Sequence, residues 1–172
     1  MEINSILTGK QLKAKMKVES ISKMLINKKI SISELISIAK NSKEKDKGTC
    51  IQAIESATRA KTGIATQVCF DFVTEALADK APRVKWESAK VIGNTVHLFP
   101  GKTEKAINSL LANSEFPGTV VRWSAAFALG EIVKLKTGSN KYLIPAIESI
   151  IKREDNKAVR KIYQAALKHA ST

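Results

Sequence analysis

Cysteine, histidine, proline and aromatic side chains are all scarce in this sequence: its 172 residues include two Cys, two His, four Pro, eight Gly and two Trp, with aromatics at 5%. Each shortage removes a class of explanation. Cys50 and Cys69 stand 69 − 50 = 19 positions apart with no second thiol pair. They fit neither a disulfide framework nor a zinc ribbon and read as small buried hydrophobes. His97 and His169 cannot by themselves assemble a histidine metal cluster or a nucleophile triad. Gly63 and Gly138 are isolated, and Gly93 and Gly130 fall inside helical patterns, so no glycine-rich phosphate loop is present. With 44% hydrophobic residues and few turn formers, an all-β or disordered chain is disfavoured, and the core must be aliphatic and alanine-rich, as packed helices favour. No stretch approaches the roughly 20 apolar residues that span a bilayer, and Met1 to Lys10 lacks the basic-then-apolar pattern of a secretory leader. The expectation is a cytoplasmic protein with no membrane segment, no metal and no cofactor.

Acidic residues are also few. Twenty-nine Lys and Arg against 16 Asp and Glu leave a formal charge of +13, an excess that favours association with polyanions. Lysine supplies most of it, and lysine is a point charge without the bidentate geometry of a guanidinium.

What the chain does have is an internal repeat. Three segments align without gaps: Val84-Lys85-Trp86-Glu87-Ser88-Ala89-Lys90-Val91-Ile92-Gly93, Val121-Arg122-Trp123-Ser124-Ala125-Ala126-Phe127-Ala128-Leu129-Gly130, and Val159-Arg160-Lys161-Ile162-Tyr163-Gln164-Ala165-Ala166-Leu167-Lys168. The spacings are 121 − 84 = 37 and 159 − 121 = 38. An amphipathic stretch precedes each: Val68, Cys69, Phe72, Val73, Ala76 and Leu77; then Ala106, Ile107, Leu110 and Leu111; then Leu143, Ile147, Ile150 and Ile151. Breakers separate the two halves of each unit at Asp79 to Pro82, Ser114 to Gly118 and Glu154 to Asn156. The repeating unit is therefore a helical hairpin. A degenerate earlier copy places Leu35, Ile36 and Ala39 on its first helix and Ile51, Ile54 and Ala57 on its second, with the charged run Asn41 to Gly48 as its turn. Ser31 and Glu34 have the spacing of a capping box. Gln11 to Asn27 is read as an N-terminal capping helix. The predicted organisation is one all-α superhelical domain over 1–172, with a cap at 1–30 and about four helical hairpins over 31–172.

The run Val121 to Ile132 resembles the second helix of HEAT repeats, in the short variety seen in phycobilisome-lyase-type proteins, and Leu143-Ile144-Pro145-Ala146-Ile147 resembles a HEAT first helix. The resemblance covers roughly Ser31 to Ala170 and implies an α-α superhelix of the HEAT/armadillo kind. That fold serves scaffolds, nucleic-acid binders and a few enzymes, so it implies little about function. It also implies that Lys85, Arg122 and Arg160 brace acidic residues in neighbouring turns, with Asp79, Glu115 and Asp155 as candidates.

Projecting the second helices at about 100° per residue puts Val121, Ala125, Ala128, Leu129 and Ile132 on the core face and Trp123, Phe127, Gly130 and Lys134 opposite. The preceding copy gives Trp86, Lys90, Gly93 and His97; the last gives Lys161, Ala165 and Lys168. Stacked second helices usually line the concave side of such a solenoid, so the candidate ligand-binding residues are Trp86, Lys90, His97, Trp123, Phe127, Lys134, Lys161 and Lys168. The two indoles are expected to keep some exposure and to leave their N–H groups free. The competing reading is that these bulky residues only fill the space between adjacent second helices. No catalytic set emerges: Asp71 and Glu75 share a helix face that opposes the apolar stripe, and Glu87 and Glu131 are expected to project beside the groove rather than into it. The predicted function is a non-enzymatic scaffold binding an acidic or extended protein segment, with a nucleic-acid-binding protein resembling alkylpurine DNA glycosylases as the alternative.

Overall fold

Local signals in the sequence explain where the helices of the computed structural model start. Ser31 opens a helix as a complete capping box: its hydroxyl accepts from the Glu34 N–H at 3.1 Å while its own N–H donates to Glu34 Oε2 at 2.8 Å. Thr66 accepts from the Cys69 N–H, Asn156 accepts from the N–H groups of Ala158 and Val159, and Pro82 occupies a first helical position, where its missing N–H costs nothing. The structure describes residues 2–172, Met1 lying outside them. Ten α-helices result: α1 Glu2–Thr8, α2 Ala14–Ile26, α3 Ile32–Lys40, α4 Glu44–Ala60, α5 Gln67–Ala76, α6 Pro82–Thr95, α7 Glu104–Asn113, α8 Thr119–Lys134, α9 Asn140–Arg153 and α10 Lys157–Ser171.

The pairs α3/α4, α5/α6, α7/α8 and α9/α10 are hairpins, and α1/α2 covers the N-terminal end. The second helices α2, α4, α6, α8 and α10 pack extensively on one another in sequence order, whereas the first helices touch their neighbours far less. The second helices thus form the more closely packed layer, and its side turned away from the first helices is the inner face. A continuous aliphatic core runs from Ile3 to Ala166 between the layers. Val121, Ala125, Ala128, Leu129 and Ile132 are all buried in it, as the helical projection requires. Cys50 and Cys69 are buried free thiols, and burial pushes each up to about 12.

Three expectations need correction. The run Asn41 to Gly48 is not a turn: α4 begins at Glu44, where Glu44 and Asp46 sit favourably in the first turn. The capping helix is shorter than Gln11 to Asn27 and is preceded by a separate helix, α1, that fixes itself through Ile3 and Leu7. Val68 is exposed rather than part of the core stripe, because at about 100° per residue it stands to the side of the face that Cys69, Val73 and Ala76 turn to the core.

The turn edge, where first helices end and second helices begin, carries a ladder between consecutive hairpins. Lys47 Nζ bonds Asp79 Oδ2 at 3.0 Å; Lys85 Nζ bonds Asn113 Oδ1 and the Leu77 carbonyl, each at 3.2 Å; Arg122 bonds both oxygens of Glu154 and the carbonyls of Phe116 and Pro117. The bracing role of Lys85 and Arg122 is present: Arg122 reaches the expected Asp155 at 3.6 Å as well as Glu154, whereas Lys85 takes the Asn113 amide in place of a carboxylate. Glu115 instead pairs with Arg153, and Asp79 belongs to Lys47, which stands at the Lys85 position of the first copy. Arg160 has no such bond among the described residues.

Beyond α2 and α8 the chain turns through the left-handed region, at Lys28 (φ 57°) and Lys136 (φ 54°). Both stand two residues past the helix end and donate their N–H to the last turn, at Leu25 and Val133. Glycine or asparagine is the usual occupant there; another L-residue costs roughly 1 kcal/mol.

Candidate partner-binding surface

The inner face is built from equivalent positions of α4, α6, α8 and α10, one helix in contact with the next. Between α6 and α8 the step is apolar. Phe127 lies across Gly93 so closely that a Cβ there would sit 2.3 Å from the ring, which explains a glycine inside a helix. Between α8 and α10 the same step is small against small, with the Ala166 Cβ 3.2 Å from where a Gly130 Cβ would stand. Between α4 and α6 it is ionic: the position equivalent to Gly93 is Glu55, and the position equivalent to Phe127 is Lys90.

That ionic step surrounds Trp86. The indole Nε1–H donates to Glu87 Oε1 at 3.0 Å, and Lys90 Nζ sits 3.1 Å from Glu87 Oε2 and 3.9 Å from Glu55 Oε2. Glu55 Oε1 also accepts from Arg59 Nε at 3.1 Å, and Asn94 Nδ2 donates to Thr58 Oγ1 and the Glu55 carbonyl, each at 3.3 Å. Glu55 and Glu87 are 4% and 3% exposed, so each is a buried carboxyl group with a cation beside it. Two expectations fail here. The Trp86 N–H is not free, and Glu87 does not stand aside but accepts from it at the edge of the indole, because a buried carboxylate must find donors and Trp86 and Lys90 are those within reach.

Trp123 differs. Its ring is 40% exposed and stacks on Phe127, centroids 6.1 Å apart at 20°, and its indole N–H has no partner among the described residues. Trp86 is half-buried by comparison. Phe127 both packs and lines the face, so the space-filling reading holds for Phe127 and in part for Trp86, not for Trp123. Lys134 is paired with Glu131 at 2.6 Å. Lys161 and Lys168 are exposed, with no ion pair among the described residues. His97 lies past the end of α6, in the short 3-10 turn Val96–Leu98, and is exposed. The structure thus brings Trp86 and Lys90 together and Trp123 and Phe127 together, with Lys161 and Lys168 one helix on and His97 at the rim. Sequence reasoning missed Glu55, Arg59 and Asn94. Aligning Lys47 with Lys85 and Arg122 would have exposed Glu55 as the counterpart of Gly93. No group of three or more His, Cys, Asp or Glu among the described residues is arranged to hold a metal ion, and no helix among them is long and apolar enough to cross a membrane.

No protein-family model and no curated protein sequence matches the chain. Solved structures do. A designed armadillo repeat protein in complex with the peptide (KR)4 superposes with a TM-score of 0.75 at 19% identity, over 98% of this chain and 80% of that one. The CpcE–CpcF complex of phycocyanin lyase from a Nostoc species gives 0.72 at 18% identity, over 96% and 97%. Computationally designed armadillo repeat proteins for modular peptide recognition give 0.73 at 18%, over 97% and 80%. With its hairpin repeat and layered second helices, the chain is an armadillo/HEAT-type helical repeat protein in fold.

Proposed function

We propose that this chain is a non-enzymatic interaction scaffold that binds an acidic, extended segment of a partner protein along the inner face of α6, α8 and α10. The observation that carries the reading is Trp123: a half-open ring, stacked and therefore preorganised, with an unused N–H donor and the unpaired Lys161 on the adjacent helix. Aromatic anchors with flanking charge are what interfaces use, the ring for affinity and the lysines for steering. That a designed protein of similar fold is complexed with a peptide supports a peptide as the kind of ligand; its (KR)4 is basic, whereas +13 on this chain favours the opposite charge. The glycosylase alternative loses support because Glu87, the carboxylate beside a groove aromatic, has both oxygens engaged by Trp86 and Lys90.

Fluorescence anisotropy with labelled acidic peptides of eight to ten residues tests this. Trp123→Ala is expected to weaken binding at least about tenfold with little change in melting temperature, hot-spot aromatics costing about 2 kcal/mol or more when truncated. Trp86→Ala is expected to lower stability as well, since it strips a donor from buried Glu87. Unchanged affinity in Trp123→Ala, or no acidic peptide binding at all, refutes the reading.

A further inference from the structure

The two edges of the solenoid differ in charge, and the difference follows from topology. All second helices run from the turn edge to the opposite edge, where four connections lead to the next first helix: 27–31, 61–66, 96–103 and 135–139. These connections contain no Asp or Glu. They contain Lys28, Lys29, Lys61, Lys102 and Lys136, all exposed, and none has an ion pair or side-chain hydrogen bond among the described residues. At the turn edge Lys43 and Lys80 are likewise exposed, but other cations there are spent on neighbours and the turns after α5, α7 and α9 carry acid. Lys47, Lys85, Arg122 and Arg153 are each consumed by a side chain or carbonyl of a neighbouring hairpin, and Asp79, Glu115, Glu154 and Asp155 stand in or beside the turns.

A second observation concerns Lys28 and Lys136. They occupy the same structural place after α2 and after α8, in the left-handed conformation that glycine or asparagine adopts more cheaply. Two lysines held at matching strained positions, unpaired, in connections that carry no carboxylate of their own although Glu34 and Glu104 follow in the first turns of α3 and α7, point to the charge being used for something other than the fold.

We infer that this edge binds the phosphodiester backbone of a nucleic acid. Successive second helices lie about 8 to 10 Å apart, so the four connections form a row about 25 to 30 Å long, close to one turn of duplex. Point-charge lysines without arginine forks suit sequence-independent phosphate contact. The exposed large aliphatics nearby, Val68 and Leu98, stand on separate elements, α5 and the 96–103 connection, so they do not form the single apolar helix face with which a helix lies in a membrane.

The test is binding of a labelled 20-base-pair duplex and of its single strand across a salt series, with anionic phospholipid vesicles and poly-glutamate in parallel. The wild-type chain is expected to bind nucleic acid with a log-log salt slope of about −4, one unit per lysine engaged. Lys28→Asn with Lys136→Asn keeps residues that tolerate the left-handed backbone; it is expected to reduce the slope by about two and low-salt affinity about tenfold, with a melting temperature unchanged or higher. Lys61→Glu with Lys102→Glu should weaken binding further. Trp123→Ala should leave it intact, which separates this edge from the inner face. The inference is overturned by no binding at low salt, by tighter binding to vesicles than to nucleic acid, by tighter binding of poly-glutamate than of nucleic acid in the Trp123→Ala variant, by affinity unaffected in both double variants, or by a fall in melting temperature in the asparagine pair, which would assign the lysines to the fold.

Discussion

Tyr163 shows what a single buried group contributes in a repeat that tolerates drift. It is among the largest fully buried side chains, and its hydroxyl has no hydrogen-bond partner among the described residues. Burial, with Glu154 and Glu115 nearby, raises the phenol above its ordinary range. An unpaired buried hydroxyl costs free energy, so Tyr163→Phe is expected to leave stability unchanged or raise it by up to about 1 kcal/mol in urea denaturation. A loss larger than that would mean the hydroxyl is satisfied. Tyr163 also occupies the aligned position of Ser88 and Ala125. The Ser88 hydroxyl is likewise buried without a partner among the described residues. The position thus faces the core in all three aligned copies.

At the level of paired helices, stability depends on how one second helix seats on the next. Gly93→Ala should be destabilising by about 1 to 3 kcal/mol despite alanine's better helix propensity, because its Cβ meets the Phe127 ring. In a Phe127→Ala background the same substitution should become neutral or stabilising by up to about 1 kcal/mol. A thermodynamic cycle of the two changes measures this coupling directly, and additive effects would show that α8 shifts to accommodate the methyl. The ionic version of the step, Lys90 over Glu55 and Glu87, gives the same seating at the cost of two buried charges.

Across the whole molecule, each hairpin meets only its neighbours, so energy is distributed along a line. Arg122 ties the third hairpin to the fourth, with Glu154 almost wholly buried against it. Arg122→Ala leaves that carboxylate without its cation and is expected to cost about 3 kcal/mol. Hydrogen exchange should then quicken in α9 and α10 while α3 to α6 keep their protection. Uniform loss of protection instead would mean that the solenoid unfolds as one unit.

The repeat, the hairpin unit, the capping box at Ser31 and the core face of α8 were legible in the residues, because each depends on periodicity or on contacts three to four positions apart. The charged start of α4 was misread because Asn41 to Gly48 has a turn's composition, and only docking of α4 between α2 and α6 rewards extending the helix there. Glu55, Glu87 and Trp86 form one network across thirty-odd positions of sequence, and no spacing rule joins them. The helical projection could say that Trp86 and Trp123 leave the core on the same side; it could not say that one would spend its N–H on a buried carboxylate while the other stayed open. Sequence by itself determined the helices and their inward faces, since hydrophobic period and caps act locally. Tertiary structure alone decided the partners of the buried charges and which edge kept its lysines unpaired, because desolvation and ion pairing depend on distances that only the stacked repeats set.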